Sequence, residues 1–185
     1  MAKSIFKTLS ISPLGALAAI AGAPLMLTLG LVFGAVGDLA LSRDGQRAFL
    51  IGLVAFALGH VAYVVLVLQA GAVLAITAPT IGVVVFALTF AAVLVPRAGK
   101  LAVPVAGYVA VIAAMGILAL GLPSDAWIGT IAALMFTLSD ALLGLSLFVL
   151  AAPWRSSWPL SAAIWSTYCT AQMLFLVAFG GVWTL

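Results

Sequence analysis

The chain has 185 residues, of which 66% are hydrophobic and only 6% charged, with a mean hydropathy of +1.40. Soluble domains carry roughly a quarter charged residues, so this composition excludes a soluble globular fold and specifies an integral membrane protein. The net charge of +3 then reads as a set of topology signals and not as a nucleic-acid footprint, and the lone Cys169 excludes an internal disulfide.

The N-terminal "MAKSIFK" has the basic start of a signal peptide, but "LAAIAGAPL" runs directly into further apolar sequence, so residues 8 to 22 read as a first span. Apolar runs follow at 24 to 42, 48 to 68, 71 to 95, 101 to 121, 126 to 151 and 159 to 184. Most are close to the roughly 20 residues a helix needs to cross a bilayer. They are continuous instead of alternating, and a spanning backbone must satisfy its own hydrogen bonds, which excludes strands. The expectation is an all-α, polytopic transmembrane bundle of seven helices forming one domain over residues 1 to 185.

The charges give an independent count of the spans. Lys3 and Lys7 precede the first run, Arg43 and Arg47 join the second to the third, Arg97 and Lys100 the fourth to the fifth, and Arg155 the sixth to the seventh. With seven spans every basic residue falls on one side, and the positive-inside rule predicts a cytoplasmic N-terminus and an external C-terminus. Trp154 and Trp158 at one face, and Trp127 and Trp183 at the other, suit interfacial belts. Asp44 in "RDGQ" and Asp125 in "LPSDAW" flank turns, where an acid near a helix N-terminus is favourable. Gly30 and Gly34 form a small-xxx-small face of the common helix-contact type.

Two acids remain. Asp38 in "GAVGDLAL" lies about one and a half turns inside the second span, and Asp140 in "FTLSDALLGL" lies about two turns inside the sixth. An ionisable group held in hydrocarbon costs roughly 2.5 to 3.5 kcal/mol even on the lenient insertion scale, which makes intramembrane acids functional candidates. Snorkelling or pairing with Arg43 offers Asp38 a role without function; Asp140 has no such neighbour within a turn. His60 and Tyr63 share a face of the third helix, and Tyr168 and Gln172 a face of the last. Taken singly, His60, Tyr108, Gln172 and Ser139 read as packing residues. The sequence has no Cys/His metal cluster, glycine-rich phosphate loop, Gly-x-Ser-x-Gly elbow or HExxH, so no cofactor or metal is expected. The last span has no lysine, which rules out a retinal Schiff base there.

Five stretches resemble the lysoplasmalogenase (YhhN-like) family of membrane proteins, in the family's order. These are "GLVFGAVGDLAL", "FLIGLVAFALGHVAY", "VPVAGYVAVIAAM" with its Pro-x-x-x-Tyr pattern, "IAALMFTLSDALLGL", and "STYCTAQMLF" with its Tyr-x-x-x-Gln ending. Family members commonly begin with one more apolar segment before a Lys-Pro-Leu sequence; here "KTL" keeps Lys7 and has Thr8 for the proline, and seven spans instead of eight are expected. The resemblance implies hydrolysis of the vinyl-ether bond of lysoplasmalogens to a fatty aldehyde and a glycerophospho-alcohol. In this scheme Asp140 is the acid and Asp38 its ionised partner, or the reverse. His60, Tyr63, Tyr108, Tyr168 and Gln172 would orient the acids and water or bind glycerol hydroxyls, and Lys7, Arg43 and Arg47 would meet the phosphate.

The partners so implied are a lysophospholipid substrate and the surrounding membrane lipids, without nucleic acid and with the oligomeric state left open, in a bacterial cytoplasmic membrane. A proton-coupled carrier of small molecules is the competing reading, since relays use the same residue types, and the two similar Asp-bearing segments are compatible with a parallel repeat. A scaffold whose acids only join helices is a third.

Overall fold

The computed structural model describes residues 14–181. Among these there are seven α-helices and no strands: α1 (described over 14–20), α2 (Leu25–Leu41), α3 (Gln46–Gln69), α4 (Ala78–Leu94), α5 (Ala102–Ala119), α6 (Trp127–Phe148) and α7 (Trp158–Phe179). Short 3₁₀ turns at Val95–Arg97, Gly99–Leu101, Ser124–Ala126 and Trp154–Ser156 occupy the connections. Five helices are long and apolar enough to cross a membrane. Helix α4 reaches that length with the 3₁₀ turn that continues it to Arg97, 20 residues in all, whereas α2 has 17, about 25 Å by the usual rise. Lys7 and Trp183 lie outside the described residues.

The turns are built from local chemistry. Gly45 has φ of 108°, a conformation that favours glycine, and turns the chain from α2 into α3. At the end of α3, Gly71 has φ of 87°, and the amides of Gly71 and Ala72 donate to Leu68 and Val67, the double bond of a Schellman cap. Apolar residues 71 to 77 therefore leave the helix. The next one starts at Ala78, where Thr77 Oγ1 accepts from the Thr80 amide over 3.4 Å and Pro79 suits the first turn. The Val73 amide donates to the Gly121 carbonyl, tying the α3–α4 connection to the end of α5. At the other face Arg155 caps α6, its Nε and Nη2 donating to the carbonyls of Ser146 and Leu147 over 3.1 and 3.2 Å.

Helix α2 packs on α3 and α6 on α7, while α5 bridges α3, α4 and α6. The shared core holds Leu27, Leu31, Tyr63, Met115, Phe136 and Phe175. Tyr63 and Phe175 stack in parallel with centroids 4.0 Å apart, and the edge of Phe136 meets His60 at 4.5 Å and Tyr168 at 5.3 Å. Trp127, Trp154 and Trp158 are exposed at the helix ends, where amphipathic rings suit a bilayer interface. Helix α4 buries little of itself: Ile81, Val85, Phe86 and Leu88 face outward, as suits a helix solvated by lipid tails.

Candidate active site

The C-terminal ends of α2 and α6, with α3 and α7, border a chamber of about 450 Å³ that opens beside the α2–α3 turn. Asp38 and Asp140 both line it. Arg43 and Asp44, from the α2–α3 turn, also line it, with Trp165 and Tyr168 from α7. Asp38 is half-buried, whereas Asp140 is only 8% exposed.

Asp38 ends a chain of hydrogen bonds. Tyr168 donates its hydroxyl to Asp38 Oδ2 over 2.9 Å, Gln172 Nε2 donates to the Tyr168 hydroxyl over 3.3 Å, and the Tyr63 hydroxyl donates to Gln172 Oε1. A phenol has one proton to give, so giving it to the carboxylate forces Tyr168 to accept from the amide nitrogen. That turns the amide oxygen toward Tyr63. Every donor of this chain therefore points toward Asp38.

The glycines of "GLVFGAVGD" make room for this chain. A Cβ at Gly30 would fall 2.4 Å from the Tyr63 ring, one at Gly34 would fall 2.6 Å from Gln172 Nε2 and 2.9 Å from the Tyr168 hydroxyl, and one at Gly37 would fall 2.6 Å from the Phe56 ring. One face of α2 is thus stripped of side chains, and the polar groups of α3 and α7 lie against its backbone.

Asp140 has different company. Its Oδ2 stands 2.9 Å from His60 Nε2, and Tyr108 stands beside its carboxyl. The edge of the Tyr108 ring meets His60 with centroids 5.6 Å apart. Asp140 also lines a second, apolar groove with Tyr108, Phe86, Phe90, Ala113 and Gly144. Leu41, Phe49, Phe56, Asp140, Leu143 and Leu147 border both spaces, so the carboxyl of Asp140 sits where the polar chamber meets the apolar groove.

Of the residues singled out in the sequence, Asp38, Asp140 and Tyr168 line the chamber, and Tyr108 lines the groove. His60, Tyr63 and Gln172 are buried behind them, touching the acids or their neighbours. Lys7 lies outside the described residues. Asp44, which reads in the sequence as a turn acid, and Trp165 join the chamber wall. Trp165 stands three residues before Tyr168 on the same helical face, the one sequence signal that points to it. No group of three or more His, Cys, Asp or Glu suited to a metal ion occurs among the described residues.

A helical bundle in which carboxylates from two separate helices line one chamber defines a polytopic membrane protein with intramembrane acids. Residues 2–179 match the model of the YhhN family. The chain belongs to that family. No curated protein and no solved structure gives a match.

Proposed function

We propose that this protein is a lysoplasmalogenase, hydrolysing the vinyl-ether bond of single-chain ether phospholipids, and that its chemistry runs on Asp140 as acid and Asp38 as base. The observation that carries the reading is the position of Asp140. It borders a polar chamber large enough for a glycerophospho headgroup on one side and an apolar groove on the other, and a lysoplasmalogen has its scissile bond at the same boundary between headgroup and chain.

Vinyl-ether hydrolysis begins with a proton delivered to carbon. Asp140 gives its proton to the alkenyl carbon one bond removed from the ether-bearing carbon; a C–H bond forms, the double bond is lost and an oxocarbenium ion results. The carboxylates of Asp38 and Asp140 face that cation in a partly desolvated space, where charge stabilisation is strong. Water adds to the cation and loses a proton to Asp38, which the Tyr168 hydroxyl holds in place. The hemiacetal then breaks its C–O bond to the glycerol: its hydroxyl proton goes to the departing oxygen, aldehyde and alcohol leave, and the proton on Asp38 restores Asp140. Arg43 at the chamber wall supplies a guanidinium for the phosphate. The protein resides in the bacterial cytoplasmic membrane, its basic connections on the cytoplasmic side.

Purified protein in detergent, given lysoplasmalogen, releases fatty aldehyde. Detergent supports no gradient, so a proton-coupled carrier would release none, and that result would overturn the proposal.

A further inference from the structure

His60 is the chain's single histidine and is 1% exposed. Its two ring nitrogens have different neighbours. Nδ1 lies 2.7 Å from the carbonyl oxygen of Phe56, one helical turn earlier; a carbonyl only accepts, so Nδ1 carries hydrogen. Nε2 lies 2.9 Å from Asp140 Oδ2. Both atoms are shielded from solvent, and their approach is too oblique to complete a hydrogen bond.

The proton count in that gap follows from its geometry. Two protons would set donor against donor, and none would set two lone pairs against each other at 2.9 Å. One proton lets the two atoms attract across 2.9 Å, as imidazolium facing carboxylate or imidazole facing carboxylic acid. Either form is neutral overall, as suits a pair held at membrane depth. The Phe56 carbonyl thereby fixes the tautomer, and the gap between Nε2 and Oδ2 has room for a single proton.

We propose that His60 and Asp140 form a one-proton store, with His60 as the positioning residue that holds the Asp140 proton until substrate arrives. This deepens the hydrolase reading and rests on Asp140 being its acid. Tyr108 on α5 stands beside the pair, and Asp38 on α2, Arg43 and Asp44 on the α2–α3 connection and Tyr168 on α7 share the chamber that Asp140 lines. On turnover the stored proton forms the new C–H bond and leaves the pair with one negative charge, opposite the oxocarbenium ion it has created. The proton that Asp38 takes from water refills the store as product leaves. One proton goes out and one returns, with one water consumed.

The single histidine makes the test direct. The full chain, labelled with nitrogen-15 in histidine and held in detergent micelles, gives ring-nitrogen resonances from one residue. Nδ1 is expected to show the protonated signature and Nε2 a shared-proton signature between the bare and protonated extremes; Asp140→Asn moves Nε2 to the bare signature. A bare Nδ1 in the wild type, or an Nε2 unchanged by Asp140→Asn, would overturn the store. In the aldehyde assay His60→Gln is expected to lower kcat about 100-fold with KM within about twofold, and a variant with unchanged kcat would refute the positioning role. A chain with the expected resonances that releases no aldehyde would keep the store and lose the hydrolase reading.

Discussion

Tyr168 donates to Asp38 over 2.9 Å although 130 positions separate the two in the chain. The bond links α7 to α2, two helices that otherwise meet sparingly, and it brings the base of the proposed reaction into the chamber with an oriented donor already upon it.

Removing either carboxyl should abolish the proton transfers while preserving volume. Asp38→Asn and Asp140→Asn are each expected to lower aldehyde release about 100-fold or more, the usual range for a lost general acid or base, with unchanged elution of the folded protein on size exclusion. Full turnover by either folded variant would leave the acids as helix glue.

Tyr168→Phe deletes the donor at Asp38. A hydrogen bond to a charged group contributes about 1.5 to 3 kcal/mol, so the rate of aldehyde release should fall between about tenfold and a hundredfold. Tyr63→Phe removes a neutral bond two steps away, of the class that contributes about 0.6 to 1.7 kcal/mol between membrane helices. Its effect should appear mainly as a lower midpoint in thermal denaturation.

The bare face of α2 predicts a contrast between two Gly→Ala changes. Gly34→Ala sets a methyl group 2.6 Å from Gln172 Nε2 and should destabilise by about 1 to 3 kcal/mol, the usual result of overpacking. Gly82→Ala meets nothing within 4 Å and should leave stability unchanged or raised, since alanine favours helix. Thermal denaturation of the two variants in one detergent makes the comparison.

The apolar groove predicts a chain-length preference. Ala113 lines it, and Ala113→Phe should move the preferred alkenyl chain toward shorter substrates while turnover of short ones persists. The ratio of kcat/KM across a series of lysoplasmalogens with one headgroup measures it. A uniform fall across the series would place the tail elsewhere.

The orientation is open to a simple test. A reporter inserted between Arg97 and Lys100 should read as cytoplasmic, and one fused after Leu185 as external. The opposite readings would invert the bundle.

The spans were legible because hydrophobicity over some twenty residues is a strong signal. For α2, α3 and α5 the expected limits fall within two residues of the observed ones. The start of α4 was not legible: residues 71 to 77 are as apolar as a helix, and only the positive φ at Gly71 and the cap at Thr77 hold them out. At the site, the acids stood out because a charge in hydrocarbon must be accounted for. Their partners did not, since in a uniformly apolar span no periodicity shows which face of α3 meets α6. Nor does sequence reveal that glycines spaced for helix contact leave space for a tyrosine ring and an amide. The closeness of His60 to Asp140, which leaves room for one proton between them, exists only once two helices have been set side by side.

The order Tyr63, Gln172, Tyr168, Asp38 reads in a single direction, since a glutamine amide has unlike ends and a phenol only one hydrogen. Turned about, the amide would set its oxygen against the Tyr168 oxygen, whose one hydrogen is already given to Asp38. The polarity of the chamber wall is thus anchored at Tyr63 and Gln172, which lie fully buried behind it.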